Sequence, residues 1–493
     1  MIAAARLVSY RILLQIATSD AHSDELLRSP EVDRLSAQDR NLTTTLVLGT
    51  LRWQMALDAG IRGLLARPGA KLSTEAATAL RMGAYQLLYL DRVPAHAVIH
   101  DSVELVKQSP ERGAAGMVNA VLRGIQRSAD SGQRTEKQGA GYRVQGTAQR
   151  IADSGQRIEK RSALSVQRSG TGRPDGSASR DGGLATAWAH PVWMVERWVR
   201  RYGREVANAI CRWDQEPAGV TLRVLAPGLE LEGLETEPGY FLSRARRVVR
   251  GDVGRRLAIR DGGIRIQDEA SQLVAEIAAA AVLQAERVLD TCAAPGGKTA
   301  ILAERLAEAE ITAMDVSRKR LDLMRGRVPA AAAERIKWVV ADAARMELNP
   351  EWDLILCDVP CSGTGTMARN PEIRLRVTEA DLARQHARQV AIVRAGLAGL
   401  KAGGRLVYST CSLEPEENEG VVEEVLREAP GFRVVPVEGI LDSLAGSGVV
   451  TAAGRERLRT ATEGGYLRTL PGVHPCDGFF AAVLEGQETL LRE

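Results

Sequence analysis

Two cysteines follow apolar, strand-like runs and lie among small polar residues. Cys411 ends the run that begins at Gly404, and Cys361 comes three residues after Asp358. A thiolate can attack an electron-poor carbon, and a neighbouring carboxyl group can donate or accept the proton that such an attack requires. A free cysteine also behaves as a small hydrophobe and is commonly buried. The two positions therefore allow either a nucleophilic site or inert packing.

The cysteine pattern does not favour a metal or a redox centre. The six cysteines are too few and too scattered for a disulfide scaffold or a four-cysteine zinc site, so reduced thiols and no metal are expected. Cys357 and Cys361 are four residues apart, but no second pair accompanies them, and Cys357 is expected to point into the sheet. A thiol oxidoreductase would need a Cys-x-x-Cys pair, which the sequence lacks.

Strands and helices alternate from about residue 285, which predicts a parallel sheet with crossover helices. The first strand, residues 288–290, runs into a loop that holds Gly296, Gly297 and Lys298, where the next helix begins. Glycines allow a close approach of the backbone, and a helix N-terminus presents free N–H groups, so a ligand is expected there. The spacing is neither that of a phosphate-binding P-loop nor that of a dinucleotide fingerprint.

Acidic residues end the strands that follow. Asp315, Asp342 and Asp358 each come at the end of an apolar run. One such acid is commonly a turn residue, but parallel strands bring their carboxyl ends to one edge of the sheet. We therefore predict a single crevice in which Asp315 accepts hydrogen bonds from ribose hydroxyl groups.

Charge and hydropathy do not identify a ligand. The formal charge is +3, but residues 126–185 hold eleven Lys or Arg against six Asp or Glu, so the rest of the chain sums to −2. Net charge therefore gives no argument for nucleic-acid binding. The sequence has no run of the roughly 20 apolar residues that a membrane helix needs, and early arginines disfavour a secretory signal. A cytoplasmic protein without membrane contact is expected.

The chain is expected to have several domains, which differ in composition. Amphipathic spacing predicts an all-α bundle at the N-terminus. A region rich in Gly, Ser, Gln and Arg with an internal repeat predicts a disordered linker, and a small α+β subdomain facing RNA is expected before the α/β catalytic domain. The expected bounds are 1–125, 126–185, 186–272 and 273–493.

The N-terminal region resembles an RNA-binding family. The motifs Leu-Gly-Thr-Leu-Arg-Trp at 48–53, Gly-Ala-Tyr-Gln-Leu-Leu-Tyr-Leu at 83–90 and Val-Asn-Ala-Val-Leu-Arg at 118–123 are similar to those of a NusB-type domain. The resemblance implies RNA binding, although most of these residues would also serve as bundle core. The tryptophans near 188–198 leave the same choice open between stacking on bases and packing in a core.

Three later motifs resemble the NOL1/NOP2/Sun family of RNA cytosine-C5 methyltransferases. They are Cys-Ala-Ala-Pro-Gly-Gly-Lys at 292–298, Asp-Val-Pro-Cys-Ser at 358–362 and Thr-Cys-Ser at 410–412. The Pro-Cys and Thr-Cys-Ser pair is the specific part. The resemblance implies a Rossmann-like class I methyltransferase domain, and the NusB-like region points to 16S ribosomal RNA as the substrate, with cytosine 967 as the family target. A monomer is expected.

The resemblance also implies a role for each motif. Cytosine C5 is a poor nucleophile until a thiolate adds at C6, so Cys411 is interpreted as the nucleophile, and the family implies that Cys361 assists release of the product. Asp358 would lie beside the reacting groups, Asp315 at the ribose of S-adenosylmethionine and Asp342 near its adenine. The loop that would hold the methionine part of this cofactor is Cys292, Ala293, Ala294, Pro295, Gly296, Gly297 and Lys298.

Two departures from the family pattern affect the expected base pocket. The usual Asp-Ala-Pro-Cys is Asp-Val-Pro-Cys here, and residues 368–376 lack the His and Trp commonly found there. Arg369 and Arg374 are then either contacts to RNA or surface arginines. Two other functions stay open, namely the same chemistry on transfer RNA and a noncatalytic RNA-binding role in ribosome assembly.

Overall fold

The computed structural model describes residues 2–67, 69–137, 180–225, 229, 231–251, 253, 263–328 and 330–486. The chain divides into two compact units. Unit 1 comprises Met1–Pro217 with Met367–Leu375, and unit 2 comprises Ala218–Thr366 with Arg376–Glu493. Most of the expected linker lies at residues 138–179, outside the described residues.

Unit 1 is built from helices, as the amphipathic spacing predicts. Helix α4 begins after Ser36, whose hydroxyl accepts a hydrogen bond from the main-chain N–H of Asp39. Helix α7 continues beyond the expected boundary at residue 125. The helices are α1 (Ala4–Thr18), α2 (Ser23–Leu26), α3 (Pro30–Asp33), α4 (Ala37–Arg62), α5 (Thr74–Tyr89), α6 (Ala95–Lys107), α7 (Ala115–Lys137), α8 (Arg180–Ala187), α9 (Val192–Tyr202) and α10 (Arg204–Trp213).

Residues of the N-terminal motifs pack in the core of this bundle. A Cβ atom added at Gly49 in α4 would lie 2.0 Å from Cζ of Tyr85 in α5, so only glycine lets the two helices approach so closely. Trp188 and Trp198 are buried in unit 1. Packing in a core is therefore the correct interpretation for these two tryptophans.

The region expected as one α+β subdomain at 186–272 is divided between the units. Its helices α9 and α10 belong to unit 1, whereas the strands after residue 217 belong to unit 2. These strands are β1 (Thr221–Val224), β2 (Glu235–Pro238), β3 (Ala245–Arg250) and β4 (Ile264–Ile266), which form an antiparallel sheet in the order β2-β3-β1-β4.

The segment Met367–Leu375 is a structural part of unit 1. The carboxylate of Glu372 accepts hydrogen bonds from the main chain and the hydroxyl of Ser23, each at 2.8 Å. The guanidinium group of Arg374 donates to the carbonyl oxygens of Arg52 and Asp214, each at 3.2 Å. Arg374 is only 2% exposed, and this burial lowers its pKa. The alternative of a surface arginine is therefore wrong for Arg374, and a contact with RNA stays a prediction.

Within the described residues, the second sheet of unit 2 has nine strands and confirms the Rossmann-like prediction. Strands β5 to β9 are parallel in the order β9-β8-β5-β6-β7, and the later strands are antiparallel additions beyond β9. The strands are β5 (Arg287–Asp290), β6 (Glu310–Asp315), β7 (Ile336–Val340), β8 (Trp352–Asp358), β9 (Leu400–Thr410), β10 (Phe432–Val435), β11 (Thr462–Glu463), β12 (Tyr466–Thr469) and β13 (Phe479–Gly486).

Helices cover both faces of this sheet. Alternate strand residues enter different cores, so Leu354 and Leu356 pack on one face, and Ile355 and Cys357 pack on the other. The helices of unit 2 are α11 (Glu269–Ala280), α12 (Gly297–Arg305), α13 (Arg318–Arg325), α14 (Ala330–Ala333), α16 (Glu379–Ala398), α17 (Glu419–Glu428), α18 (Val437–Gly446) and α19 (Ala452–Arg457). Helix α15 (Ile373–Arg376) belongs to unit 1 except for its last residue.

A buried ion cluster joins the small sheet to the helices of unit 2. Arg223 of β1 has a fully buried side chain whose Nη2 lies 2.8 Å from a carboxylate oxygen of Glu276 in α11 and 3.1 Å from one of Glu304 in α12. Arg305 also pairs with Glu276 at 2.7 Å. Because Glu276 is equally buried, the cluster depends on keeping its cations.

Arg223→Met is expected to lower the free energy of unfolding by roughly 3 to 5 kcal/mol, because it leaves buried carboxylates short of a partner. Urea denaturation followed by circular dichroism measures this loss. Arg250→Met is the matched control, since the side chain of Arg250 is 86% exposed and pairs with Glu235 at 3.9 Å. Equal stability of the two variants would contradict a role of the cluster in folding.

Candidate active site

The strand order reverses between β5 and β8, and an open parallel sheet forms its ligand crevice at such a point. Asp358 is the last residue of β8 and its carboxylate is held from two sides. Nζ of Lys298 lies 2.7 Å from Oδ2, and the hydroxyl of Ser409 donates to Oδ1 at 2.7 Å. The Asp358 side chain stays 27% exposed. The acid is therefore fixed in orientation and still open to a ligand.

The two predicted thiols follow neighbouring strands of the sheet. Cys361 comes after β8 and Cys411 comes after β9. The sulfur atoms of Cys361 and Cys411 are 3.4 Å apart, although fifty residues separate them in sequence. Gly365 holds their loops together, since its N–H donates to the carbonyl of Cys411 at 2.9 Å. A Cβ atom at Gly365 would lie 2.3 Å from the carbonyl oxygen of Gly478, so a larger residue does not fit.

The contact between the thiols affects the pKa of Cys361. The hydrogen bond with Cys411, followed by burial and by the charges of Cys411 and Glu417, raises the pKa of Cys361 well above its ordinary value. The two sulfur atoms are close enough for one thiol to donate a hydrogen bond to the other. The contact is compatible with Cys411 as the nucleophile and Cys361 as its partner thiol, and both roles stay predictions.

The glycine loop between β5 and α12 has the backbone shape that the sequence predicts for a ligand site. Gly296 has a φ of 102°, and a Cβ atom there would lie 2.6 Å from Cγ of Met324. Helix α12 begins at the next residue without a side-chain cap. Its first N–H groups and the positive end of its dipole therefore face the loop.

Asp290 is the acid at the end of β5, to which the sequence reasoning assigned no role. It ends β5 and is buried, its Oδ2 accepts a hydrogen bond from the hydroxyl of Thr299 at 2.7 Å, and burial raises its pKa to about 7. Its Oδ1 also accepts from the N–H of Cys292 at 3.4 Å. Asp290 thus contacts both the start of the loop, at Cys292, and the first turn of α12, at Thr299. Its position at the end of the Val-Leu-Asp strand was the available signal.

Asp315 and Asp342 lie at the ends of the next two strands. Asp315 is buried and accepts hydrogen bonds from the N–H of Ala294 at 3.3 Å and of Ser317 at 2.9 Å. Nη1 of Arg320 lies 3.1 Å from its Oδ2. Asp342 is more exposed and accepts from the N–H of Ala344 at 3.1 Å. Both acids line the same edge of the sheet as Asp358.

These groups fit the cofactor that the family resemblance implies. Asp290, Asp315, Asp342 and Asp358 follow adjacent parallel strands, and Lys298 already pairs with the last of them. Acidic side chains at the ends of parallel strands suit a ligand with a ribose diol. The uncapped start of α12 suits a carboxylate on the same ligand.

Arg369, the second arginine expected at RNA, is half-buried in the 367–375 segment of unit 1. Among the described residues, no group of three or more His, Cys, Asp or Glu is placed to hold a metal ion. In the same parts of the chain, no helix has the length and apolar character needed to cross a membrane.

The fold and the crevice define a Rossmann-like methyltransferase domain accompanied by a helical domain. Residues 278–485 match the family described as 16S rRNA methyltransferase RsmB/F, and residues 3–127 match the NusB family. The probable ribosomal RNA small subunit methyltransferase B of Bacillus subtilis is 31% identical, with 96% of each chain covered. The chain therefore belongs to the RsmB/F family and carries its NusB domain.

Further comparisons agree with this family. The ribosomal RNA small subunit methyltransferase B of Pseudomonas syringae is 30% identical, with 97% of this chain and 96% of the relative covered. The crystal structure of PH0851 has a TM-score of 0.72 at 20% identity and covers 98% of this chain and 99% of its own. At that identity the structural likeness supports the fold alone.

Proposed function

We propose that this protein transfers a methyl group from S-adenosylmethionine to C5 of a cytosine in 16S ribosomal RNA, through a covalent bond between Cys411 and C6. The observation that carries the proposal is the pair of sulfur atoms 3.4 Å apart. One of them belongs to Cys361, three residues after Asp358, which pairs with Lys298. A pair of thiols with an acid matches the needs of attack and release on a pyrimidine ring.

The substrate assignment rests on the relatives and the NusB domain. The curated relatives are named for the small-subunit ribosomal RNA, and they match over nearly the whole chain. The NusB domain supplies a separate helical unit for holding RNA. The position implied by the family resemblance is cytosine 967. Because a base must leave its stack to reach a thiol, a loop or single-stranded target is expected.

The cofactor is assigned to the crevice at the ends of β5 to β8. The loop from Cys292 to Lys298 would hold its methionine part, Asp315 its ribose, and Asp342 would lie near its adenine. When bound, S-adenosylmethionine supplies an electrophilic methyl group. The residues of this chain have to orient the base, exclude water and move protons.

Attack begins with the sulfur of Cys411. Its electron pair forms a bond to C6 while the C5–C6 double bond opens, which makes C5 nucleophilic. Asp358, in its protonated form, would hydrogen-bond to or protonate the N3 side of the ring, and the ammonium group of Lys298 would then stabilise the carboxylate that is left. Cys361 is the thiol in contact with the attacking sulfur, at 3.4 Å.

Release reverses the attack after C5 carries its methyl group. The C5 proton passes to solvent, the electron pair of the C5–H bond restores the C5–C6 double bond, and the bond between C6 and sulfur breaks with its electron pair returning to Cys411. The partner thiol, Cys361, is the group assigned to assist this elimination. Without it, the covalent adduct should form but persist.

Bisulfite sequencing tests the substrate assignment, because 5-methylcytosine resists conversion by bisulfite. RNA from a strain that lacks the gene is compared with RNA from the same strain carrying the wild-type gene or the Cys411→Ala gene. We expect one cytosine of 16S ribosomal RNA to be protected only with the wild-type gene. Protection that changes only in transfer RNA, or nowhere, would contradict the assignment.

A further inference from the structure

One buried carboxylate contacts the residue that follows each thiol. Glu417 is fully buried and lies at the end of a short 3-10 turn, Pro415–Glu417. Its Oε1 accepts a hydrogen bond from the N–H of Ser362 at 2.8 Å, and its Oε2 accepts from the hydroxyl of the same serine. The hydroxyl of Ser412 also donates to Oε2, at 2.5 Å.

We infer that Glu417 is a positioning residue, whose carboxylate bridges Ser362 and Ser412 and thereby sets the separation of the Cys361 and Cys411 sulfur atoms. The inference rests on the proposed function, because the two thiols matter only if they act on a substrate. Glu417 lies in the Pro-Glu-Glu-Asn stretch, to which the proposed reaction assigns no step.

The burial of this acid requires such an explanation. An ionised carboxylate in an apolar core is unfavourable unless donors surround it. The donors here are neutral, namely two serine hydroxyls, one main-chain N–H and the amide of Gln389 at 3.1 Å. Two of the three residues that donate directly follow a thiol. The contacts therefore tie the acid to the thiol loops.

Asn418, the residue after Glu417, also holds the residues on either side of Cys411. Oδ1 of Asn418 accepts a hydrogen bond from the hydroxyl of Thr410 at 2.6 Å, and its Nδ2 donates to the carbonyl of Ser412 at 3.0 Å. Thr410 and Ser412 flank the nucleophile on both sides. The hydroxyls of Ser362 and Ser412 are themselves 3.1 Å apart. The two thiol loops are thus joined at the carboxylate.

The bridge also has an electrostatic consequence. The negative charge of Glu417 contributes to the raised pKa of Cys361, after the hydrogen bond with Cys411, burial and the charge of Cys411. A bridge of this kind favours the protonated form of Cys361 and holds the two sulfur atoms 3.4 Å apart. Position and protonation are therefore maintained by one side chain.

Steady-state kinetics of the purified full-length protein on 16S ribosomal RNA test the inference. Glu417→Ala is expected to lower kcat by about 100-fold, the usual cost of misplacing reacting groups by about 1 Å, with the KM for RNA unchanged. Adding Ser412→Ala to Glu417→Ala should cost less than about twofold more, because coupled residues are not additive. Glu417→Gln keeps the size of the side chain and one carbonyl oxygen, so it should recover part of the lost kcat.

A second readout needs no substrate. Diamide oxidises two adjacent thiols to a disulfide, and mass spectrometry follows formation of the Cys361–Cys411 bond in the free protein. Glu417→Ala should slow this reaction at least about tenfold, since the sulfurs lose their fixed proximity. Glu423→Ala, on the exposed face of α17, is the matched control and should behave like the wild type.

The outcomes separate the two proposals. Slower disulfide closure in a protein that does not methylate 16S ribosomal RNA would support the bridge and reject the proposed function. A kcat within threefold of the wild type, independent losses that multiply in the double variant, or closure as fast as in the wild type would reject the bridge. If Glu417→Ala does not fold, Ser362→Ala and Ser412→Ala, each of which removes a single donor, provide the same measurements.

Discussion

Cys411→Ala is expected to abolish methyl transfer, with a loss on the order of 10⁴-fold or more, because removing a covalent nucleophile removes the reaction path. Alanine has no sulfur to add to C6, and C5 then stays a poor nucleophile. Cys411 comes directly after β9, which ends at Thr410, so the change removes no side chain of the strand. Folding and cofactor affinity should therefore match the wild type.

Transfer of a radioactive methyl group to 16S ribosomal RNA measures this loss, and calorimetry measures cofactor affinity. Cys211→Ala is the matched control, since Cys211 is a buried thiol of unit 1 to which we assign no chemistry. This control should keep nearly full activity. Substantial turnover by Cys411→Ala would reject Cys411 as the nucleophile.

Cys361→Ala is expected to form the covalent complex but not to resolve it. The nucleophile is intact, so attack on C6 and methylation of C5 can proceed, whereas the group assigned to assist elimination is missing. The protein should then migrate with its RNA on a denaturing gel after incubation with S-adenosylmethionine. The wild type should show little of this species because release follows transfer.

The double variant provides the control for this prediction. Cys361→Ala combined with Cys411→Ala should show no covalent band, because no sulfur remains to attack. Normal turnover by Cys361→Ala without an adduct would show that the second thiol has no part in release.

The fold of unit 2 and much of its site could be predicted from local sequence patterns. Parallel strands are buried on both faces, so they appear as apolar runs, and their carboxyl ends place Asp315, Asp342 and Asp358 at one edge. Gly296 could be selected because its backbone conformation excludes most other residues. These features depend on positions close together in the sequence.

The features that sequence reasoning missed depend on tertiary contacts. Arg374 belongs to a segment that follows the Pro-Cys loop in sequence but folds as part of unit 1, so its neighbours in the chain gave no sign of its burial. The contact of Glu417 with Ser362 could not be predicted either, because the two residues are 55 positions apart in the sequence. Asp290 could be placed at a strand end, but its hydrogen bond to Thr299 requires the folded loop.

The most direct test of covalent catalysis is to identify the protein residue attached to RNA in the adduct of Cys361→Ala. The complex is digested with protease and nuclease, and the peptide that carries a nucleotide is sequenced by mass spectrometry. We predict that Cys411 carries a cytidine with one added methyl group. A nucleotide on any other residue, or no covalently linked peptide at all, would contradict the proposed mechanism.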